Sequence, residues 1–158
     1  MNTRVKIALL ASLFLFSIYS ITNNTPIIIS GNTVLIDYYV WVGPVLIDNG
    51  TISFVVGQSE VITGLDNAIV GMRVGESKNI TIPPLMAYGL RDPDLVFVVP
   101  VGLFSENNMS TPLVGDLFEI YGTLGEVIEV TNDTVIVDAN DPLAGLTLDM
   151  SIKVINKA

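Results

Sequence analysis

From residue 33 onward the chain alternates apolar and polar positions in short runs. Thr33 to Val42 (TVLIDYYVWV) has Val34, Ile36, Tyr38 and Val40 at every second position, the spacing of a strand with one buried face. Pro44 to Asp48 and Thr51 to Val56 are two further short strands. Asn49-Gly50 between them predicts a hairpin turn, since both residues tolerate positive φ. Leu146, Leu148, Met150, Ile152 and Val154 alternate with Thr147, Asp149, Ser151 and Lys153 and predict the last strand. Lys78 to Ile82 alternates likewise until Pro83-Pro84 ends it. Leu95–Val99, Leu117–Tyr121, Glu126–Thr131 and Thr134–Asp138 are further strand-like runs, with Asn132-Asp133 as another hairpin turn.

One segment changes period. Leu65, Ala68, Ile69 and Met72 fall at i, i+3, i+4 and i+7 and predict a short helix with one buried face. Thr63 is placed to cap it, with Asp66 three residues on as in a capping box, and Gly71 stands where a glycine ends helices. The expected class is therefore α+β, mainly β, with no internal repeat.

The opening residues are of another kind. Residues 7 to 21 (IALLASLFLFSIYSI) are uncharged and apolar and follow Arg4 and Lys6, the pattern of a signal or anchor segment with a basic leader. No A-x-A-like cleavage site follows Ser20. The expectation is a membrane anchor with the main domain outside, secretion after cleavage being the alternative. A buried helix fits less well, because the segment has no amphipathic period.

Half of the 158 residues are apolar and the mean hydropathy is +0.61. The net charge is −9, and setting aside Arg4 and Lys6 leaves 5 basic against 16 acidic residues. Such a surface repels phosphate backbones, which excludes a nucleic-acid partner. There is no Cys and no His, hence no disulfide, thiol nucleophile, thiolate metal site or imidazole base. Asp138-Ala-Asn140-Asp141 opens like a calcium loop, but Pro142 and the placement of Gly145 break the pattern. Asp92 and Asp94 read as solvated. No metal or cofactor is expected. Asn-x-Ser/Thr triplets begin at Asn23, Asn49, Asn79, Asn108 and Asn132.

The run FVVGQSEVITGLDNAIVGMRVGESKNITIPPLMAYG, Phe54 to Gly89, resembles the signature of FKBP-type peptidyl-prolyl isomerases. Its order is strand, Gly, Val-Ile-x-Gly opening a helix, Gly-Met-x-x-Gly, strand, Pro-Pro and Ala-Tyr-Gly. VDANDPLAGLTLDMSIKV, Val137 to Val154, is similar to the Asn-His-Pro-Leu-Ala-Gly region of the SlyD-like branch, with Asp141 in place of its His. The resemblance implies an antiparallel sheet wrapped on one short helix, with a small inserted β domain. It implies residues 1–30 as anchor and linker, 31–91 plus 138–158 as the isomerase domain, and 92–137 as an insert-in-flap, chaperone-like domain.

By the same resemblance, Tyr88 and Asp48 are the candidate catalytic residues, Tyr88 as hydroxyl donor to the substrate carbonyl and Asp48 as a carboxylate beside the twisting amide. Tyr38, Ile47, Phe54, Val61, Ile62, Leu65 and Met150 would line the pocket, and the Ile62 backbone N–H would bind the chain beyond the proline. Without the resemblance, Asp48 reads as a turn residue, Tyr38 and Phe54 as core, and Val61, Ile62 and Leu65 as helix-to-sheet packing. Leu65, Met150 and Ile47 stand where relatives place aromatic residues. The implied partners are unfolded, proline-containing polypeptides, with membrane contact through the N-terminal segment and a monomeric state. The competing reading is a non-enzymatic chaperone or peptide-binding module on the same scaffold.

Overall fold

Alternation produces the first strand as expected. β1 (Thr33–Val42) buries Val34, Ile36 and Val40 and leaves Tyr39 exposed. Its partner is one continuous strand, β2 (Val45–Val55), not two. The turn between them is Gly43-Pro44, flanked by the pair Val42 and Val45, with Gly43 at φ +55°. Gly first and Pro second suits a two-residue turn whose first position needs positive φ and whose second needs negative φ. Asn49 and Gly50 lie in the ladder opposite Tyr39 and Tyr38, so the expected turn there is corrected.

The structure, a computed structural model, describes residues 26–158. By internal contacts the chain divides into two units, Pro83–Thr147 and the residues on either side of it. In the first unit, β3 (Ser77–Ile82) and β8 (Leu148–Lys157) complete a four-stranded antiparallel sheet of order β2-β1-β8-β3. One face carries the rows Asp48–Val40–Met150–Ile80 and Gly50–Tyr38–Ile152–Lys78. Helix α1 (Thr63–Ile69) lies on this face and buries Leu65 and Ile69. Its first turn comes so close to β3 that a Cβ on Gly64 would reach 2.3 Å from Ile82 Cγ2.

The expected capping box does not form. Ile62 is the N-cap and no side chain bonds there. The Asp66 carboxylate instead accepts from the Gly57 N–H at 2.8 and 3.1 Å. Ile28, expected in a linker, is fully buried; its N–H donates to the Met72 carbonyl at 2.8 Å, and the Ile28 carbonyl accepts from Gly71 N–H at 2.9 Å. The apolar run Ile27 to Ile29 therefore belongs to the domain. Residues 7 to 21 lie outside the described residues.

In the second unit, β4 (Val96–Pro100), β5 (Leu117–Ile120), β6 (Thr123–Val130) and β7 (Thr134–Asp138) form a sheet of order β4-β7-β6-β5. A one-and-a-half-turn helix, α2 (Gly102–Glu106), buries Phe104 against Val99, Val127, Val135 and Val137. The sequence pattern missed α2, whose five residues are too few to show a period. Two connecting stretches expected in the isomerase domain, 83–91 and 138–147, fall in this unit. They are tied to each other: Gly145 N–H donates to Gly89 O at 2.8 Å, and Asn140 bonds both the N–H and the carbonyl of Asp92.

Candidate functional site

The helix-side face of the first sheet gathers most of the candidate residues. Tyr38 on β1 lies opposite Gly50, where a Cβ would come to 3.4 Å from the phenol oxygen, so the ring rests over the glycine. From there the Tyr38 hydroxyl donates to Asp48 Oδ2 at 3.0 Å. Asp48 Oδ1 accepts from the Asn49 N–H at 2.8 Å. The carboxylate is thus fixed in direction by two donors, on the same row as Val40 and Met150. A bulge in β2 makes this possible: Trp41 pairs with Leu46 and Val40 with Asp48, leaving Ile47 as the extra residue. Ile47 is accordingly 39% exposed.

Phe54, Leu65 and Met150 are buried, so the apolar floor is largely closed by core packing. Val61 and Ile62 are half-buried at the start of α1, and the Ile62 carbonyl accepts from the N–H groups of Leu65 and Asp66. The loop before them is held at three points. Besides the Asp66–Gly57 bonds, Glu60 Oε2 accepts from Val55 N–H at 3.0 Å, and Gly57, at φ +82°, lies against Ser30. A Cβ on Gly57 would stand 2.3 Å from Ser30 Oγ. Asp66 and Glu60 were missed as positioning groups; Asp66 was read as a cap, because sequence spacing alone does not distinguish the two uses of a carboxylate.

Tyr88 belongs to the second unit. It follows the short 3₁₀ turn Pro84–Met86, is 44% exposed, and precedes Gly89, whose N–H donates to Pro84 O at 2.8 Å. The sequence also missed the role of Asp138. It is the buried carboxylate of this unit, paired with the Arg91 guanidinium and accepting from Asn140 N–H at 3.0 Å and Asn140 Nδ2 at 2.7 Å. Asp92 is a capping group rather than merely solvated, since its Oδ1 accepts from Asp94 N–H at 2.9 Å. Among the described residues no cluster of three or more acidic, His or Cys side chains is placed to hold a metal ion. None of their helices is long and apolar enough to cross a membrane.

An antiparallel sheet with one short helix across its face thus carries a Tyr–Asp pair on the same face as a buried aromatic and a thioether. Residues 26–101 match the family of FKBP-type peptidyl-prolyl cis-trans isomerases. A short-type peptidyl-prolyl cis-trans isomerase of Methanocaldococcus jannaschii is 44% identical over 103 residues, 65% of this chain and 65% of that protein. A SlyD isomerase of Treponema pallidum is 37% identical over 111 residues, 66% of this chain and 61% of that protein. An FKBP-type 16 kDa isomerase of Escherichia coli is 27% identical over 107 residues, 65% of this chain and 70% of that protein. The chain is thus similar to FKBP-type peptidyl-prolyl isomerases, SlyD proteins among them. Its matches to the archaeal and Treponema proteins span slightly less than two thirds of their lengths.

Proposed function

We propose that this chain is a peptidyl-prolyl cis-trans isomerase of the SlyD-like, insert-bearing kind, assisting the folding of exported or surface proteins. The observation that carries the reading is the Asp48 carboxylate, oriented by the Tyr38 hydroxyl on an apolar face with Phe54 and Met150. Rotation about an X-Pro bond meets a barrier of about 18–20 kcal/mol, because the amide loses resonance when twisted. No bond breaks, so no nucleophile or proton shuttle is needed. A 10⁴-fold acceleration asks for about 5.4 kcal/mol of differential stabilisation. An apolar site that excludes water from the twisted amide, with one or two directed hydrogen bonds, is of a kind that supplies this.

In this reading Asp48 faces the rotating amide and the Ile62 N–H binds the chain beyond the proline; Tyr88 is carried over from the resemblance alone as a hydroxyl donor to a substrate carbonyl. Arg4 and Lys6 before residues 7 to 21 support an anchored or secreted protein with its main domain outside. The second unit supports holding of unfolded clients: Val99, Leu103, Phe104, Met109, Phe118 and Ile120 line an open groove of about 350 Å³. That groove also favours the second reading, a chaperone without isomerase activity.

The two separate in one experiment. The full chain in mild detergent is followed for cis/trans exchange of a proline-containing peptide, beside Tyr88→Phe and Asp48→Ala. Exchange well above the uncatalysed rate, lowered about tenfold or more by either substitution, is expected. Exchange at the uncatalysed rate, with aggregation of an unfolded protein still suppressed, establishes the chaperone reading instead.

A further inference from the structure

Five of the chain's 12 asparagines open an Asn-x-Ser/Thr triplet with no Pro between, whereas its 22 Ser and Thr would place a hydroxyl two residues on from only about one Asn in seven. Of these, Asn49, Asn79, Asn108 and Asn132 are described, and all four are exposed. None of their side-chain amides is engaged in a hydrogen bond among the described residues. Asn108 and Asn132 lie outside the strands of the second unit, and Asn49 and Asn79 lie within the first sheet.

The placement of the last two is specific. Asn49 is on β2 and Asn79 on β3, the two edge strands, and they end one row across the outer face of the sheet: Asn49–Tyr39–Ser151–Asn79. Their hydroxyl partners are treated alike. Thr51 Oγ1 donates to Asp37 Oδ1 and Thr81 Oγ1 to Asp149 Oδ1, each at 2.6 Å. Between the two triplets lie Tyr39 and Trp41, their rings 5.9 Å apart and inclined by 21°. Tyr39 is half-exposed. Trp41, Asn79, Thr81, Asp149 and Ser151 line one shallow depression. An indole face beside amide, carboxylate and hydroxyl groups is suited to a sugar ring, whose C–H face packs on the aromatic while its hydroxyls bond the polar rim.

We infer that Asn49 and Asn79 carry N-linked oligosaccharides, the sugar on Asn79 seated in the Trp41 depression. The inference rests on the external location proposed above. In the transfer, Asn Nδ2 bonds to the anomeric carbon of a polyprenyl-phosphate-linked oligosaccharide. The bond from that carbon to the phosphate oxygen breaks, the oxygen keeps the electron pair, and the amide gives up one proton. Sugars on this row cover the outer face only. The opposite face, with Tyr38 and Asp48, is separated from them by the sheet itself.

The test uses the full chain in the cells that make it. Protease added to intact cells reports whether the domain is outside, and the intact mass of the purified chain reports modification. The expected result is a reachable domain with a mass excess that falls by one oligosaccharide in Asn49→Gln and again in Asn79→Gln. Thr51→Ala and Thr81→Ala, which keep the asparagines, give the same losses. Trp41→Ala lowers the melting temperature of the modified chain more than that of the chain made without sugars. A reachable domain with the bare polypeptide mass, or an excess untouched by these substitutions, overturns the inference and leaves the location standing. A protected domain overturns the location and the inference with it.

Discussion

Tyr38 shows how a single pairing fixes a functional group. Its ring can lie flat because Gly50 opposite has no side chain, and only then does its hydroxyl meet Asp48. Tyr38→Phe keeps the ring and removes that donor. Since Asp48 is exposed, the stability loss is expected to stay near 1 kcal/mol, while kcat/KM for a proline peptide falls several-fold because the carboxylate is no longer held. A chemical melt and a peptide-exchange assay on one preparation check both. This is also where sequence reading went astray. Asn-Gly is a strong turn signal, yet here Gly50 serves a cross-strand aromatic, and Gly43-Pro44 makes the turn. Local propensity gave way to a tertiary contact that no local window contains. Tyr38 and Asp48 are site candidates in the sequence only through the resemblance to relatives, and their hydrogen bond is legible only in the structure.

At the scale of elements, α1 is held by packing and by one carboxylate, not by a cap. Thr63→Ala is expected to change stability by no more than about 0.5 kcal/mol, because its side chain makes no capping bond. Asp66→Ala releases the Gly57 N–H and the loop leading to Ile62. It is expected to cost about 1–2 kcal/mol and, if the loop positions substrate as proposed, to raise KM more than it lowers kcat. Gly64→Ala tests the seat of the helix. Its new methyl would meet Ile82 in the core, and a loss of about 1–3 kcal/mol is expected by thermal melting. The strands and this helix were readable because each shows its period over at least four residues. Ile28 was not, because a single buried residue next to the isolated Ile27–Arg73 bridge carries no period of its own.

At the scale of the molecule, the two units have separate cores. The first is built on Val34, Ile36, Phe54, Leu65, Ile152 and Val154, the second on Phe104 with Val99, Val127, Val135 and Val137. The second core is small, and Phe104 is its largest buried side chain, in contact with Phe118 at 5.2 Å between ring centres. Phe104→Ala is therefore expected to remove about 3–5 kcal/mol, enough to unfold a unit of this size. Trp41, the chain's one Trp, lies on β1 of the first unit and reports on that unit alone. Its emission should keep the wild-type melting transition while far-ultraviolet circular dichroism loses part of its strand signal. If, as proposed, the groove that Phe104 lines holds unfolded clients, that holding should be lost outright. Exchange of short proline peptides separates two roles for this unit. If Tyr88, which the unit carries, needs an ordered setting to donate its hydrogen bond, exchange falls with Phe104→Ala by the same factor as with Tyr88→Phe. If exchange stays at the wild-type rate while Tyr88→Phe remains slow, the turn around Pro84–Met86 keeps its form without the second core.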